Sequence, residues 1–108
     1  MADRNKYGAV RTYSSLCQRW FDSKGECQRG EELHMLELAG EISGLRYQVK
    51  FTLSVKPPVS ITVDFAYNED GKKVYEDFKG KMVEDFRVKM AWLKQQQGID
   101  IILSRRNR

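Results

Sequence analysis

Three residues with acid–base and metal-binding chemistry, Asp64, Asp77 and Lys79, have a spacing that can bring them together. Asp70-Gly71, between the two aspartates, is a preferred two-residue loop of a β-hairpin because Gly accepts a positive φ. Counting back from this loop along both strands places Asp64 opposite Asp77, with Cβ atoms about 5 Å apart. Two carboxylates that close repel unless a proton or a cation lies between them, and Lys79 follows on the same strand face. The arrangement suits a divalent metal and a phosphate.

The strands that carry these residues are predicted from alternating hydrophobicity. From Val59 onward apolar side chains occupy every second position, as in a half-buried strand, and the partner strand is expected from Lys73 to Lys79. Leu45 to Val55 alternates in the same way and is predicted to be a further strand, which Pro57-Pro58 ends. These three strands should form an antiparallel meander.

A helix is predicted before the first of these strands. Ser23 has the spacing of an N-cap, and the helix should run to about Ala39, where Gly40 ends it. On a helical wheel Glu26 lies on the same face as Leu33, which is a candidate core residue. From spacing alone, a capping role in which Glu26 bonds back to Ser23 is favoured over a functional one.

A second helix is predicted from Met82 to Gln97, and Gly98 should end it. The strand Ile99 to Leu103 follows and should run parallel to the strand 73–79, because strand, helix and strand form a right-handed crossover. The expected fold class is α/β, in the form of an α+β mixed sheet with the order α-β-β-β-α-β. Residues 10–21 permit a strand or an ordered loop and are left unassigned.

Composition limits the class of protein. The chain has 108 residues, a net charge of +4 and two cysteines, which are too few for a disulfide framework. No apolar run is long enough to span a membrane and no secretory signal is visible, so a cytoplasmic protein is expected. We expect a flexible arm at 1–11, one domain at 12–104 and a basic tail at 105–108. Basic residues near both ends could bind a polyanion, although ordinary solubilising charge explains them equally well.

The spacing of Asp64 and Asp77-Phe78-Lys79 resembles the signature of the PD-(D/E)XK nuclease superfamily. Together with segments 21–26, 39–42 and 76–80, the chain looks like a phage-encoded family of small Holliday-junction-resolvase-like endonucleases. The resemblance implies a restriction-endonuclease-like core. It also implies that Glu26, Asp64 and Asp77 are the catalytic metal ligands for Mg²⁺, or Mn²⁺ in its place, with Lys79 as the catalytic lysine. On this basis a ligand role for Glu26 is preferred to capping alone.

The resemblance implies a metal-dependent endonuclease that cuts branched DNA, such as four-way junctions, and works as a homodimer. Two alternatives stay open: a nuclease for nicked, flapped or linear DNA, and a DNA-binding or assembly protein without catalysis. Trp20 and Trp92 are expected in the core, with base stacking or a dimer contact as the alternatives. Candidate phosphate contacts are Lys24, Lys81, Lys89, Arg105 and Arg106.

Overall fold

The computed structural model describes residues 9–105, which form two helices and six strands. An N-terminal pair of short strands is followed by a helix, a three-strand meander, a second helix and a last strand. The elements are β1 (Thr12–Ser14), β2 (Arg19–Phe21), α1 (Lys24–Leu38), β3 (Ser43–Ser54), β4 (Val59–Glu69), β5 (Lys72–Phe78), α2 (Glu84–Gln97) and β6 (Ile101–Ser104).

The main sheet has the strand order β3-β4-β5-β6. β3, β4 and β5 pair antiparallel and β6 joins β5 in parallel, so the predicted meander and crossover strand are confirmed. At the hairpin turn Asp70 and Gly71 have φ values of 53° and 75°, as a type I′ turn requires. The turn pairs Glu69 with Lys72 and, further along, Phe65 with Glu76. This is the predicted register.

The N-terminal hairpin was not predicted. β1 and β2 pair antiparallel in a separate two-stranded sheet, with Tyr13 opposite Trp20. The observed order is therefore β-β-α-β-β-β-α-β rather than α-β-β-β-α-β. Strands of three residues are too short for alternation to reveal them.

Several residues expected in the core lie at the surface instead. Trp20 is 51% exposed and Trp92 is 37% exposed, so the core assignment of both was wrong.

Two predicted element boundaries also differ from the structure. Val55 lies in the turn after β3 and not in the strand, and it is 82% exposed. Val83 is the N-cap of α2, which begins at Glu84, two residues later than the predicted start.

Helix α1 begins where the sequence predicts. Ser23 is its N-cap, and the Ser23 hydroxyl accepts a hydrogen bond from the Glu26 N–H at 3.0 Å. At two positions where an aromatic ring contacts the helix, the helix residue is a glycine. A Cβ at Gly25 would overlap the Phe78 ring, with Cε2 at 2.6 Å, and a Cβ at Gly30 would lie 2.6 Å from the Phe21 ring. The two glycines therefore let aromatic rings pack directly on the helix backbone.

The buried apolar residues form two clusters. One joins α1 to the hairpin β4–β5 and contains Phe21, Leu33 and Phe65. The other joins α2 to the far ends of β3 and β4 and is centred on Leu93 and Ile61. Each helix is thus fixed to a different part of the sheet.

Each predicted terminal segment lies partly outside the described residues. Residues 1–8 of the expected arm and residues 106–108 of the expected tail, including Arg106, lie outside the described range. Between residues 9 and 105, no helix is long and apolar enough to cross a membrane. Both cysteines, Cys17 and Cys27, are free.

The close approach at Gly25 gives a test of how α1 is held. Gly25→Ala should lower the free energy of unfolding by about 1–2 kcal/mol, because overpacking against the Phe78 ring outweighs the roughly 1 kcal/mol gain in helix propensity. Urea unfolding followed by circular dichroism measures this change. Gly80→Ala is the matched control, since no atom lies within 4 Å of its Cβ position. A Gly25→Ala protein more stable than wild type would contradict this packing.

Candidate active site

An open cleft of about 930 Å³ collects the residues that the sequence singles out. It is formed by the start of α1, the middle of β4, the C-terminal end of β5, and the segment that leads into α2. Its lining includes all four predicted catalytic residues and two of the predicted phosphate contacts: Glu26, Asp64, Asp77, Lys79, Lys24 and Lys81. Four distant parts of the chain thus meet at one surface.

Asp64 and Asp77 join the two strands at the point where their ladder ends. Each carboxylate accepts a hydrogen bond from the opposite strand: Asp77 Oδ1 from the Asp64 N–H at 3.0 Å, and Asp64 Oδ2 from the Phe78 N–H at 2.9 Å. The last paired residues are Phe65 and Glu76. The carboxylates therefore take over backbone donors of the ladder, which holds both acids at the cleft in a fixed geometry.

Lys79 is held from two sides. Its Nζ lies 2.8 Å from Asp77 Oδ2 and 3.5 Å from the centre of the Phe86 ring in α2. Its backbone N–H donates to the Ser104 carbonyl of β6 at 2.9 Å. An ion pair and a cation–π contact together fix the amine beside the acid pair.

Glu26 is 5% exposed and lies in the first turn of α1. Its neighbour Gly25 packs on Phe78, the residue between Asp77 and Lys79, so the helix start is held against the end of β5. The predicted N-cap is confirmed, because the Ser23 hydroxyl accepts from the Glu26 N–H. The Glu26 carboxylate itself lines the cleft.

Burial and mutual repulsion disturb the titration of these acids. Burial raises the pKa of Glu26 to about 8, and the negative charges of Asp64, Asp22 and Asp77 add to the effect. Burial likewise raises the pKa of Asp64 to about 7, reinforced by the charge of Asp77. Both shifts have the same physical origin, which is like charge crowded into a partly dry cleft.

The donor set of the cleft fits a hard divalent cation in its chemistry. Mg²⁺ prefers carboxylate oxygens, and a cation would offset the negative charge that, together with burial, raises the pKa of Glu26 and Asp64. Among residues 9–105, however, no group of three or more His, Cys, Asp and Glu side chains is already arranged around a common point. The aspartate oxygens are instead directed at protein donors. Metal binding would therefore require these carboxylates to reorient.

Glu76, the neighbour of Asp77, has a different role. It pairs with Phe65, is fully buried, and accepts hydrogen bonds from Arg29 at 2.6 Å and from the Tyr67 hydroxyl at 2.7 Å. Burial would raise the pKa of Glu76, but the bonds from Arg29 and Tyr67 outweigh it and hold that pKa below its ordinary value. Glu76 thus fastens α1 to the sheet and is not part of the cleft lining.

Gln48 of β3 is a site residue that sequence reasoning missed. It lies between the pairs Tyr47–Phe65 and Val49–Val63, across from Asp64, and its Nε2 donates to Asp64 Oδ1 at 3.3 Å. Its φ of 52° is unusual for a residue other than glycine within a strand. The register of β3 against β4 is the signal that could have indicated it.

The remaining predicted cations divide into three groups. Lys24 and Lys81 line the cleft, whereas Lys89 pairs with Asp85 one turn earlier on α2, at 3.3 Å, and is not part of the lining. Arg105 is exposed directly after β6, and Arg106 is outside the described residues.

Comparison with known proteins gives one family. A family model described as "Protein of unknown function (DUF1064)" matches residues 4–103. The chain belongs to the DUF1064 family. The DUF1064 match covers every residue that lines the cleft. No curated protein and no solved structure gives a significant match.

The crowded acids predict how stability changes with pH in the metal-free protein. A carboxyl whose pKa is higher in the folded state stabilises the fold below its unfolded pKa, and that contribution is lost as the pH rises through the folded pKa. For Glu26 and Asp64 the loss should extend from about pH 4 to about pH 8. Thermal unfolding in EDTA across this range measures it.

Glu26→Gln should flatten this pH profile and raise the melting temperature at pH 8, because the amide keeps the shape without the charge. Glu41→Gln, which removes an exposed carboxylate, is the matched control and should leave the profile unchanged. A Glu26→Gln protein that is less stable than wild type at pH 8 would contradict the raised pKa of Glu26.

Proposed function

We propose that the protein is a metal-dependent endonuclease that hydrolyses phosphodiester bonds in branched DNA, most specifically four-way junctions. The observation that carries the proposal is the meeting of Asp64, Asp77, Lys79 and Glu26 in one cleft. Asp77 is buried and Asp64 is half-buried, and an acid pair in such a place costs the fold stability. Such costs are concentrated at sites of binding or chemistry. Lysines at the same cleft match a polyanionic substrate.

In this proposal Glu26, Asp64 and Asp77 hold the cation, which is Mg²⁺ or Mn²⁺. The bound ion supplies Lewis-acid stabilisation of charge on the phosphate. Lys79 contributes an amine placed by Asp77 and Phe86, which stabilises negative charge developing at phosphorus or orients the attacking water. Lys24 and Lys81 bind the flanking phosphates and fix the register of the DNA.

The proposal extends to the fold class and the assembly. We propose that the four-stranded mixed sheet with its two helices is a restriction-endonuclease-like core of the PD-(D/E)XK type. A four-way junction requires two symmetric cuts, so the acting species is a homodimer with two-fold symmetry. Its place of action is the cytoplasm, and the resemblance to resolvases indicates a phage origin.

A synthetic four-way junction tests the chemistry directly. Wild type should nick the junction with Mg²⁺ and should bind without cutting in EDTA. Asp77→Asn and Lys79→Ala should each lower the cleavage rate about 100-fold or more while junction binding is kept, because both residues act on the transition state. Matched controls are Asp70→Asn, in the hairpin turn, and Lys94→Ala, whose amine pairs with exposed Asp100.

The outcomes separate the alternatives. Equal cleavage of linear duplex and junction would favour a nuclease of broader substrate range. Binding without cleavage under any divalent metal would favour a DNA-binding protein. Mg²⁺ should also raise the melting temperature of wild type but not of an Asp64→Asn variant, which reports on the metal independently of catalysis.

The cation–π contact gives a separate test of how Lys79 is placed. Phe86→Leu keeps an apolar side chain in the α2 cluster but removes the ring 3.5 Å from Lys79 Nζ. Cleavage should slow about 2- to 30-fold, in line with a contact of roughly 0.5–2 kcal/mol. Met90→Leu, in the same cluster, should leave the rate unchanged. Equal cleavage rates for Phe86→Leu and Met90→Leu would show that the Phe86 ring does not contribute to catalysis.

A further inference from the structure

The hairpin β1–β2 presents two aromatic rings to solvent. Tyr13 and Trp20 are paired across the strands with ring centres 5.3 Å apart, and they are 50% and 51% exposed. The Arg11 guanidinium lies 4.8 Å from the centre of the Trp20 ring. The two rings and the cation form one contiguous exposed patch, and contiguous patches are candidate binding sites.

The hairpin is firmly attached to the domain. The Ser14 hydroxyl is buried and donates to Glu31 of α1 at 2.6 Å, and it accepts from the Cys17 N–H at 2.9 Å. The Arg19 guanidinium packs on the Tyr47 ring at 4.1 Å. Because the backbone is anchored on one side, the rings on the other side are held in place and are preorganised for a ligand.

The hairpin is also adjacent to the cleft. Ala9 and Val10, which are separated from β1 by Arg11, line the cleft, and so do Asp22 and Ser23, directly after β2. Both ends of the hairpin therefore start from the cleft wall. A substrate strand lying in the cleft would have the exposed rings within reach of its next nucleotides.

We propose that Tyr13 and Trp20 stack on unpaired bases of the DNA strand that enters the cleft, with Arg11 binding the adjoining phosphate. This inference rests on the proposed nuclease function and names its substrate feature, the unstacked bases at a branch point. Aromatic rings stack on any base, and a neighbouring guanidinium adds both a planar surface and a positive charge. That combination suits single-stranded nucleic acid better than an apolar protein surface, where an arginine would have to be desolvated.

Trp20 fluorescence provides the test. In a Trp92→Phe variant of the full chain, Trp20 is the remaining tryptophan. Titration with an oligothymidylate in EDTA, at low salt, should quench its emission, whereas a linear duplex of equal charge should quench it much less. Equal quenching by the duplex would indicate phosphate contact alone and would overturn the stacking inference.

Substitutions at Trp20 separate stacking from apolar contact. In fluorescence-anisotropy titrations of labelled oligothymidylate, Trp20→Phe should keep the affinity within a few-fold. Trp20→Leu, which keeps apolar surface without a ring, should weaken binding about 5- to 100-fold. Leu16→Ala is the matched control at the exposed end of the hairpin and should bind as wild type does. Equal affinity for the Phe and Leu variants would overturn the inference.

Two further outcomes keep this inference distinct from the nuclease proposal. Junction cleavage without quenching of Trp20 would overturn the stacking role and leave the nuclease. Quenching by single strands without cleavage would leave the stacking role and remove the nuclease. A change in Trp20 emission with protein concentration alone, together with dimers in light scattering, would assign the rings to a second copy of the chain and overturn the inference.

Discussion

The packing of the Phe78 ring on Gly25 is the contact on which the cleft depends. Phe78 lies between Asp77 and Lys79 and donates its backbone N–H to Asp64, while Gly25 precedes Glu26. One ring packed on one helix backbone therefore brings acids from three elements to the same surface. Glycine has a low helix propensity, but only a residue without a Cβ allows this close approach of the ring.

The cleft is held together by contacts that act against its own electrostatics. Burial and the negative charge of Asp77 raise the pKa of Asp64, while the Lys79 amine pairs with Asp77. The surrounding fold supplies the compensation through Phe86 and the bidentate bond between Arg29 and Glu76. Contacts outside the cleft therefore stabilise the fold, whereas the crowded carboxylates in the cleft destabilise it. This division is common where function requires a cluster of like charges.

The sequence predicted much of this arrangement because the relevant signals were local. The Asp70-Gly71 turn determined the register of β4 against β5, which brings Asp64 and Asp77 together just beyond the last pair, Phe65–Glu76. Alternation determined the meander. The N-terminal hairpin could not be predicted because its strands have only three residues and the side chains of Tyr13 and Trp20 are exposed. Gln48 escaped because its position depends on the pairing of β3 with β4 and on a positive φ that no local pattern reveals. The contact between Lys79 and the Phe86 ring depends on how the crossover helix α2 packs, which residue spacing does not reveal.

Glu76 and Asp77 are adjacent, yet one is sealed inside the molecule and the other faces the cleft. The two side chains point to opposite faces of the sheet because they occupy successive positions of one strand. The turn at the opposite end of the hairpin sets this alternation, so a one-residue insertion there would shift β5 by one position against β4. Glu76 would then take the place of Asp77 at the cleft, and Tyr75 would take the place of Glu76, so Arg29 would lose its carboxylate partner. Chain length at a remote, solvent-exposed bend is thus as much a part of the site as the acids themselves.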